Sequence, residues 1–234
     1  LAMSLAVDSV FAIPAEIPNP DMVADLIGPV LGIEKADLLA KFKAFKTFCW
    51  LKRKVSPEES ARLRDMNLKG IYFQKEMKRF YPKGDMAATV LGYVGLDDNG
   101  LGGLEYRFND SIKGTPGRAL IATDARRQSF ESTTQLGQPG KSLVLTLDEN
   151  IQFIAERALA EAASKWKMEG GAVIVQEPNT GEILAMASYP SFDPNNFSQS
   201  ASDARRNRAL SQVYEPGSTF KLVAVAAALQ ENLV

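Results

Sequence analysis

Between Gly171 and Ser188 two short apolar runs, GAVIVQE and EILAMAS, flank a Pro-Asn-Thr-Gly turn. Alternation on either side of a turn led by proline and closed by glycine specifies an antiparallel hairpin. Ahead of it Asp148 stands where a helix cap belongs. Ile151, Ile154, Ala155, Ala158, Leu159 and Ala162 then recur on one helical face, and Gly170 and Gly171 end the pattern. A helix leading into a hairpin predicts a mixed α+β chain rather than an all-helical or all-strand one.

The preceding residues read less regularly. LAMSLAVDSVFAI predicts a strand that runs into the proline-rich turn PAEIPNP. Asn19 caps a predicted helix from Pro20 that Gly28 and Pro29 should end, and a second helix is expected over 34–42. FKTFCWLKRKV predicts a strand over 45–55, and Ser56, Pro57 and Glu59 form a capping box opening a helix to about Met66, with Gly70 closing it. The glycine-rich stretch 80–118 is expected to form a helix, a loop and a second helix around Leu104 to Phe108, followed by strands at ALIATDA (119–125) and KSLVLTLD (141–148).

Composition narrows the chemistry. With 45% hydrophobic and 24% charged residues among 234, the chain is that of a globular protein with one large domain or two ordinary ones. A net charge of −1 argues against a general nucleic-acid binder, although KFKAFKTFCWLKRK (41–54) carries six basic residues and no acidic one. A solvated strand face is the expected reading of that run. Cys49 is the single cysteine, which excludes intrachain disulfides and thiolate metal clusters. Histidine is absent, removing Ser-His-Asp and Cys-His catalysis together with every histidine-ligated metal. A base, if there is one, is a carboxylate, a tyrosine or a lysine. No apolar run approaches the roughly 18 residues of a membrane-spanning helix.

Two motifs are decoys. GQPGKS (137–142) lacks the early glycine of a phosphate-binding loop, with Gln135 in its place, and GLGGLE (100–105) lacks the third glycine of a dinucleotide fingerprint. Both read as turn or packing glycines. S-x-x-K occurs twice, as SKWK (164–167) and STFK (218–221). Lysines suit the last turn of a helix, so the first pair is structural. The second, within YEPGSTFKLVAVAAALQ (214–230), places Ser218 and Lys221 at the start of a helix that is apolar all round and therefore expected to be buried. A lysine kept neutral by burial and neighbouring positive potential could activate the serine hydroxyl, with helix N–H groups to receive an oxyanion. A lysine that merely reaches for solvent is the alternative, and the residues alone leave both open.

Taken together, the segments resemble the class B penicillin-binding proteins, the peptidoglycan D,D-transpeptidases whose family signature includes S-x-x-K. YEPGSTFK is similar to the nucleophile segment, GGAVIVQEPNTGEILAMASYPSFDPN to the opening transpeptidase hairpin, and LVLTLDENIQFIAERAL to the helix before it. RFYPKGDMAATVLGYVGLDDNGLGGLEYRFNDSIKG resembles the non-catalytic pedestal that precedes the catalytic domain. The resemblance implies an elongated α+β pedestal over 1–145 and the first part of a transpeptidase domain, of serine β-lactamase-like fold, over 146–234. It implies Ser218 as nucleophile and Lys221 as general base, with no metal and no organic cofactor. Implied partners are peptidoglycan stem peptides, β-lactams, a polytopic membrane glycosyltransferase and other cell-wall synthesis proteins, and no nucleic acid. The implied location is the extracytoplasmic, periplasmic face of the bacterial inner membrane, with an anchor outside this sequence.

The family's S-x-N and K-T-G motifs are not found up to Val234, and LAMSLAV resembles the segment just after the family's arginine-glycine entry motif. An excerpt is therefore expected, and the isolated 234-residue chain should label poorly with a fluorescent penicillin. The stretch FCWLKRKVSPEESARLRDMNLKGIYFQKEMKRFYP leans toward the division type over the elongation type. A non-catalytic interaction fragment and a β-lactam sensor or β-lactamase are the competing readings. The pedestal-like segment weighs against the sensor and the β-lactamase.

Overall fold

The computed structural model describes residues 1–115, 118–123, 129–135 and 137–232, with side chains described outside 118–123 and 129–135. The chain divides into two compact units, Leu1–Asp85 with Leu91–Ser142 and Met86–Val90 with Leu143–Val234.

In the first unit β1 (Met3–Ala12), α1 (Pro20–Leu31), α2 (Lys35–Ala44), β2 (Cys49–Lys52), α3 (Pro57–Asp65) and β3 (Ile71–Phe80) build a layer of helices on a sheet. The antiparallel sheet has the order β2-β1-β3. Because side chains alternate, the register Val10↔Phe73 and Ala12↔Ile71 fixes which residues point together. Val10, Ala12, Cys49, Leu51 and Ile71 are buried against Ile27 and Leu31 of α1, Leu38 of α2 and Leu63 of α3. The helices thus cover one face of the sheet and leave the other to its own side chains.

Asn19 caps α1, its side chain accepting from the Met22 N–H at 3.1 Å, and the Ser56–Glu59 capping box opens α3. The expected stop at Gly28 and Pro29 is overridden. The helix runs through Pro29 to Leu31 and closes at Gly32, whose φ of 64° lets its own N–H and that of Ile33 fold back onto the Gly28 carbonyl. Burial of Ile27 and Leu31 outweighs the single backbone bond that Pro29 removes. β2 is shorter than the 45–55 expected, because β1 shifts register between Val10 and Phe11 and Lys54 turns away at a φ of 53°. β3 carries charges at Lys75, Glu76, Lys78 and Arg79 that hide its alternation, and only its full ladder with β1 makes it a strand.

Within the basic run of 41–54, Lys41, Lys52, Arg53 and Lys54 are fastenings, while Lys43 and Lys46 are exposed. Lys41 donates to the Trp50 and Leu51 carbonyls at 3.2 and 3.1 Å, and Lys52 to Glu59 at 2.6 Å and the Leu31 carbonyl at 2.9 Å. Arg53 holds Glu76 and Asp97, and the nearly buried Lys54 holds Asp98 at 2.6 Å.

Beneath the sheet Asp8 is buried. Ser60 donates to it, Arg64 Nη2 lies 3.1 Å from Oδ2, and Lys75 Nζ lies 3.0 Å from Oδ1 but off the hydrogen-bonding direction, an ion pair only. Burial pushes this carboxyl up, yet the Ser60, Lys75 and Arg64 contacts outweigh it and hold the pKa at about 2. A depressed carboxyl stabilises the fold above its unfolded pKa and loses that contribution as pH falls through the folded one. Lowering the pH from about 4 to about 2 should therefore remove roughly 2 kcal/mol from this unit, less some screening because Arg64 and Lys75 are half exposed or more. Denaturant titrations of Asp8→Asn should lack that pH-dependent component; an unchanged slope would show that Asp8 does not carry it.

Next come the one-turn α4 (Ala88–Leu91), most of which belongs to the second unit, then α5 (Gly103–Arg107), α6 (Asn109–Ile112) and the antiparallel pair β4 (Arg118–Thr123) and β5 (Ser129–Gln135). Residues 141–148, expected as a strand, form none. Lys141 donates to the Ser111 carbonyl, Thr146 to that of Ile183 and Asp148 to that of Leu184, isolated bonds without a ladder. No helix opens after GKS, so the phosphate-loop reading has no structural support. In GLGGLE, a Cβ at Gly100 would sit 2.0 Å from the Glu105 carbonyl oxygen and one at Gly102 2.9 Å from the Tyr93 ring, so both are packing glycines.

In the second unit α7 (Glu149–Trp166) packs on the hairpin of β6 (Gly171–Gln176) and β7 (Ile183–Tyr189), with Ala155 and Leu159 against Ala185 and Ala187. Asp148 caps α7, accepting from the Asn150 and Ile151 N–H groups at 2.9 and 3.0 Å. The buried face is rotated from the one expected. Gln152, Ala155, Leu159 and Ala163 are inside, whereas Ala158 is exposed and Ile154 is 56% exposed. Gln152 decides this, because its amide accepts from the Met186 N–H at 2.8 Å and donates to the Met186 carbonyl at 3.1 Å. After 3-10 turns the chain forms α8 (Arg208–Ser211) and α9 (Lys221–Gln230).

Candidate active site

The two serine-lysine pairs sit in opposite settings. Ser164 lies in the last turn of α7, and Lys167 is its C-cap, left-handed at a φ of 51° with its N–H on the Ala163 carbonyl. Ser218 lies in a 3-10 turn, Gly217–Phe220, that feeds directly into α9. Gly217 takes a φ of 51° after Pro216, so the Pro-Gly pair sets the entry to the turn. Lys221 is the first residue of α9, and its N–H bonds back to the Ser218 and Thr219 carbonyls. Ser218 and Lys221 thus stand three residues apart across the junction of the turn and α9. The Lys221 N–H, the first of α9, is thereby taken up by the carbonyls of the turn and is not free for an oxyanion.

The burial expected of this helix is not found. Ser218 and Lys221 are exposed, no described residue of α9 is buried, and Leu222, Val225 and Leu229 are 75%, 54% and 59% exposed. A helix apolar on every side needs cover on every side, and the described residues do not supply it.

The approach to the turn is tied to the hairpin by residues whose importance the sequence conceals. The Arg208 N–H donates to the Ser188 hydroxyl at 3.2 Å, and Asn207 Nδ2 reaches Met186 Sδ at 3.3 Å. The Arg208 guanidinium, 16% exposed, pairs with Asp203. The signal in RRNRAL is a cluster of arginines near Asp203, which reads as surface charge until the hairpin is in place. Among the described residues no group of three or more His, Cys, Asp or Glu side chains could hold a metal ion, and no helix is long and apolar enough to cross a membrane.

Fold and site together define a helix-on-sheet unit followed by a hairpin and a serine-lysine helix. Residues 1–145 match the family model of the penicillin-binding protein dimerisation domain and residues 171–234 that of the penicillin-binding protein transpeptidase domain. The chain belongs to the penicillin-binding proteins. It is 33% identical over 242 residues to peptidoglycan D,D-transpeptidase FtsI of Escherichia coli K12, covering all of this chain and 41% of that protein. It is 34% identical over 236 residues to the probable peptidoglycan D,D-transpeptidase PenA of Neisseria gonorrhoeae, covering 98% of this chain and 41% of that one. Penicillin-binding protein 2X of Streptococcus thermophilus superposes with a TM-score of 0.68 at 26% identity, over 98% of this chain and 39% of that one. The chain thus spans about two fifths of the length of these relatives.

Proposed function

We propose that this protein is a peptidoglycan D,D-transpeptidase working through a serine acyl-enzyme. Residues 1–145 serve as the non-catalytic pedestal and 146–234 open the catalytic domain. The observation that carries the reading is the junction at Ser218, where a 3-10 turn enters an α-helix whose first residue is Lys221, within the stretch matched by the transpeptidase family.

In the forward step Ser218 Oγ attacks the carbonyl carbon of the penultimate D-alanine of a stem peptide, and Lys221 Nζ serves as the general base that takes the hydroxyl proton. The amide C–N bond breaks as that proton passes to the leaving nitrogen, releasing the terminal D-alanine. An amine of a neighbouring stem then attacks the ester, forming the cross-link and returning the proton to Ser218. A β-lactam enters the same first step, its ring opening in place of peptide release. No cofactor takes part. The setting is the periplasmic face of the inner membrane, beside a polytopic glycosyltransferase, and the division type is favoured over the elongation type by the resemblance of residues 48–82.

The direct test is intact-mass analysis of the full-length protein after penicillin treatment, followed by peptide mapping. One adduct, on the peptide holding Ser218, is expected; an adduct elsewhere, or none, would refute the reading.

A further inference from the structure

Ahead of the nucleophile segment, α8 packs on both strands of the hairpin. Its backbone is bonded to β7 through the Arg208 N–H and the Ser188 hydroxyl, and the side chain of its N-cap, Asn207, reaches Met186 of the same strand. Ser211 Oγ returns to the Asn207 carbonyl at 2.7 Å, and Gln212 closes the helix with its N–H on the Arg208 carbonyl. From Ser211 to Phe220 every residue is exposed. Only residues 213–216 stand between Gln212 and the 3-10 turn that carries Ser218. Five Cα–Cα steps allow that turn to begin no more than about 18 Å from the end of α8.

Arg208 is seated in the unit rather than laid over its surface. Its guanidinium pairs with Asp203, and Nη1 reaches Gln212 Oε1 at 3.3 Å. The seat exists because residue 170 is glycine: a Cβ there would lie 2.7 Å from Arg208 Cζ and 2.8 Å from Nε. Arg206 is the contrast, half exposed and 3.4 Å from the same carboxylate. The seat also carries a cost. Arg208 Nε and Asn207 Oδ1 are buried with no hydrogen-bond partner among the described residues, a penalty that native structures rarely carry without a reason. Stability alone is a poor reason, since a largely buried ion pair adds little of it.

We propose that Arg208 is a positioning residue for the reaction of Ser218, holding α8 at the angle from which the short link 213–216 delivers the nucleophile; this rests on the transpeptidase reading. A helix of one turn does not hold its own direction, so its orientation is that of its seat. A swing of a few degrees there displaces Ser218 by on the order of 1 Å, and a misplacement of about 1 Å can cost about 10²-fold in rate. Arg208 acts through the backbone of α8 and not by touching substrate.

The test is stopped-flow penicillin acylation of the full-length protein over a range of penicillin concentrations, which separates the affinity of the precovalent complex from the first-order acylation constant. Arg208→Met should lower the acylation constant roughly ten- to hundredfold and leave the precovalent affinity within about twofold. Arg208→Lys, which keeps a cation opposite Asp203, should recover part of the loss, and Arg206→Met should change neither constant. Gly170→Ala keeps the test alive should Arg208→Met not fold, because the atoms nearest the new methyl all belong to the movable Arg208 guanidinium. It should slow acylation several-fold with a melting temperature within about 2 °C of the wild type. An unchanged acylation constant in whichever of Arg208→Met and Gly170→Ala folds overturns the proposal. So does an equal loss in Arg206→Met, or a loss confined to precovalent affinity. Any of these with a wild type acylated at Ser218 removes this proposal alone, whereas a wild type that takes up no penicillin removes the transpeptidase reading and this one with it.

Discussion

Full-length protein carrying Ser218→Ala will take up no penicillin, while keeping its fold. The substitution removes the attacking oxygen and almost no volume, and Ser218 is exposed in a turn whose backbone bonds use carbonyls and N–H groups rather than the hydroxyl. Lys221→Met retains most of the stem and loses the base, so acylation should slow by roughly 10²- to 10⁴-fold, the usual cost of removing general-base catalysis. Ser164→Ala and Lys167→Met should change almost nothing, because that pair closes α7 and faces solvent. Stopped-time mass spectrometry on the four variants reads these rates directly. An adduct persisting in the Ser218 variant, or vanishing in the Ser164 variant, would mean the other serine is the nucleophile.

Gly92→Ala should be among the most damaging single-methyl changes in the first unit. Gly92 sits at a φ of 82°, and a Cβ there would lie 1.8 Å from the Gly102 carbonyl oxygen, so both the backbone conformation and the space forbid it. Strain at positive φ and displacement of backbone together cost roughly 3 kcal/mol or more. That is a large share of the 5–15 kcal/mol typical of a domain and lowers its melting temperature by about 10 °C. Gly32→Ala is the matched comparison, because Gly32 has a φ of 64° but nothing within 4 Å of the new methyl. It should cost only about 1 kcal/mol. Circular dichroism melts that place the two variants within two or three degrees of each other would remove close packing as the reason for glycine at 92.

Features fixed by a few consecutive residues were legible before any fold was known. Asn19, the Ser56–Glu59 box and Asp148 cap helices with their own side chains, and the Pro-Asn-Thr-Gly turn joins β6 to β7. Features fixed by distant partners were not. Gly28 and Pro29 look like a helix stop until the burial of Leu31 is known, and the charged sequence of β3 becomes a strand only beside β1. Gln152 reads as a solvent-facing residue of an amphipathic helix, yet it is 1% exposed because the bonds it makes are to β7, more than thirty residues away. The serine-lysine spacing occurs twice and could not choose between the pairs, whereas Pro216 and Gly217 marked the turn before Ser218 and the resemblance of YEPGSTFK to the nucleophile segment pointed to it. The exposure of α9 is not a local property, and no pattern within 214–230 could have disclosed it.

The bond pair between Gln152 and Met186 also gives the hairpin a direction of growth. Along the margin of β7 that faces away from β6, the Leu184 carbonyl is taken by the Asp148 N–H, and both backbone groups of Met186 are taken by a single side-chain amide. That margin is closed two residues at a time by the start of α7, which leaves no run of free donors and acceptors to template another strand. The open margin is that of β6, whose outward backbone groups have no such covering among the described residues. The helix therefore acts as a stopper on one side of a two-stranded seed, so that any strand joining it, from the same chain or another, is steered to β6.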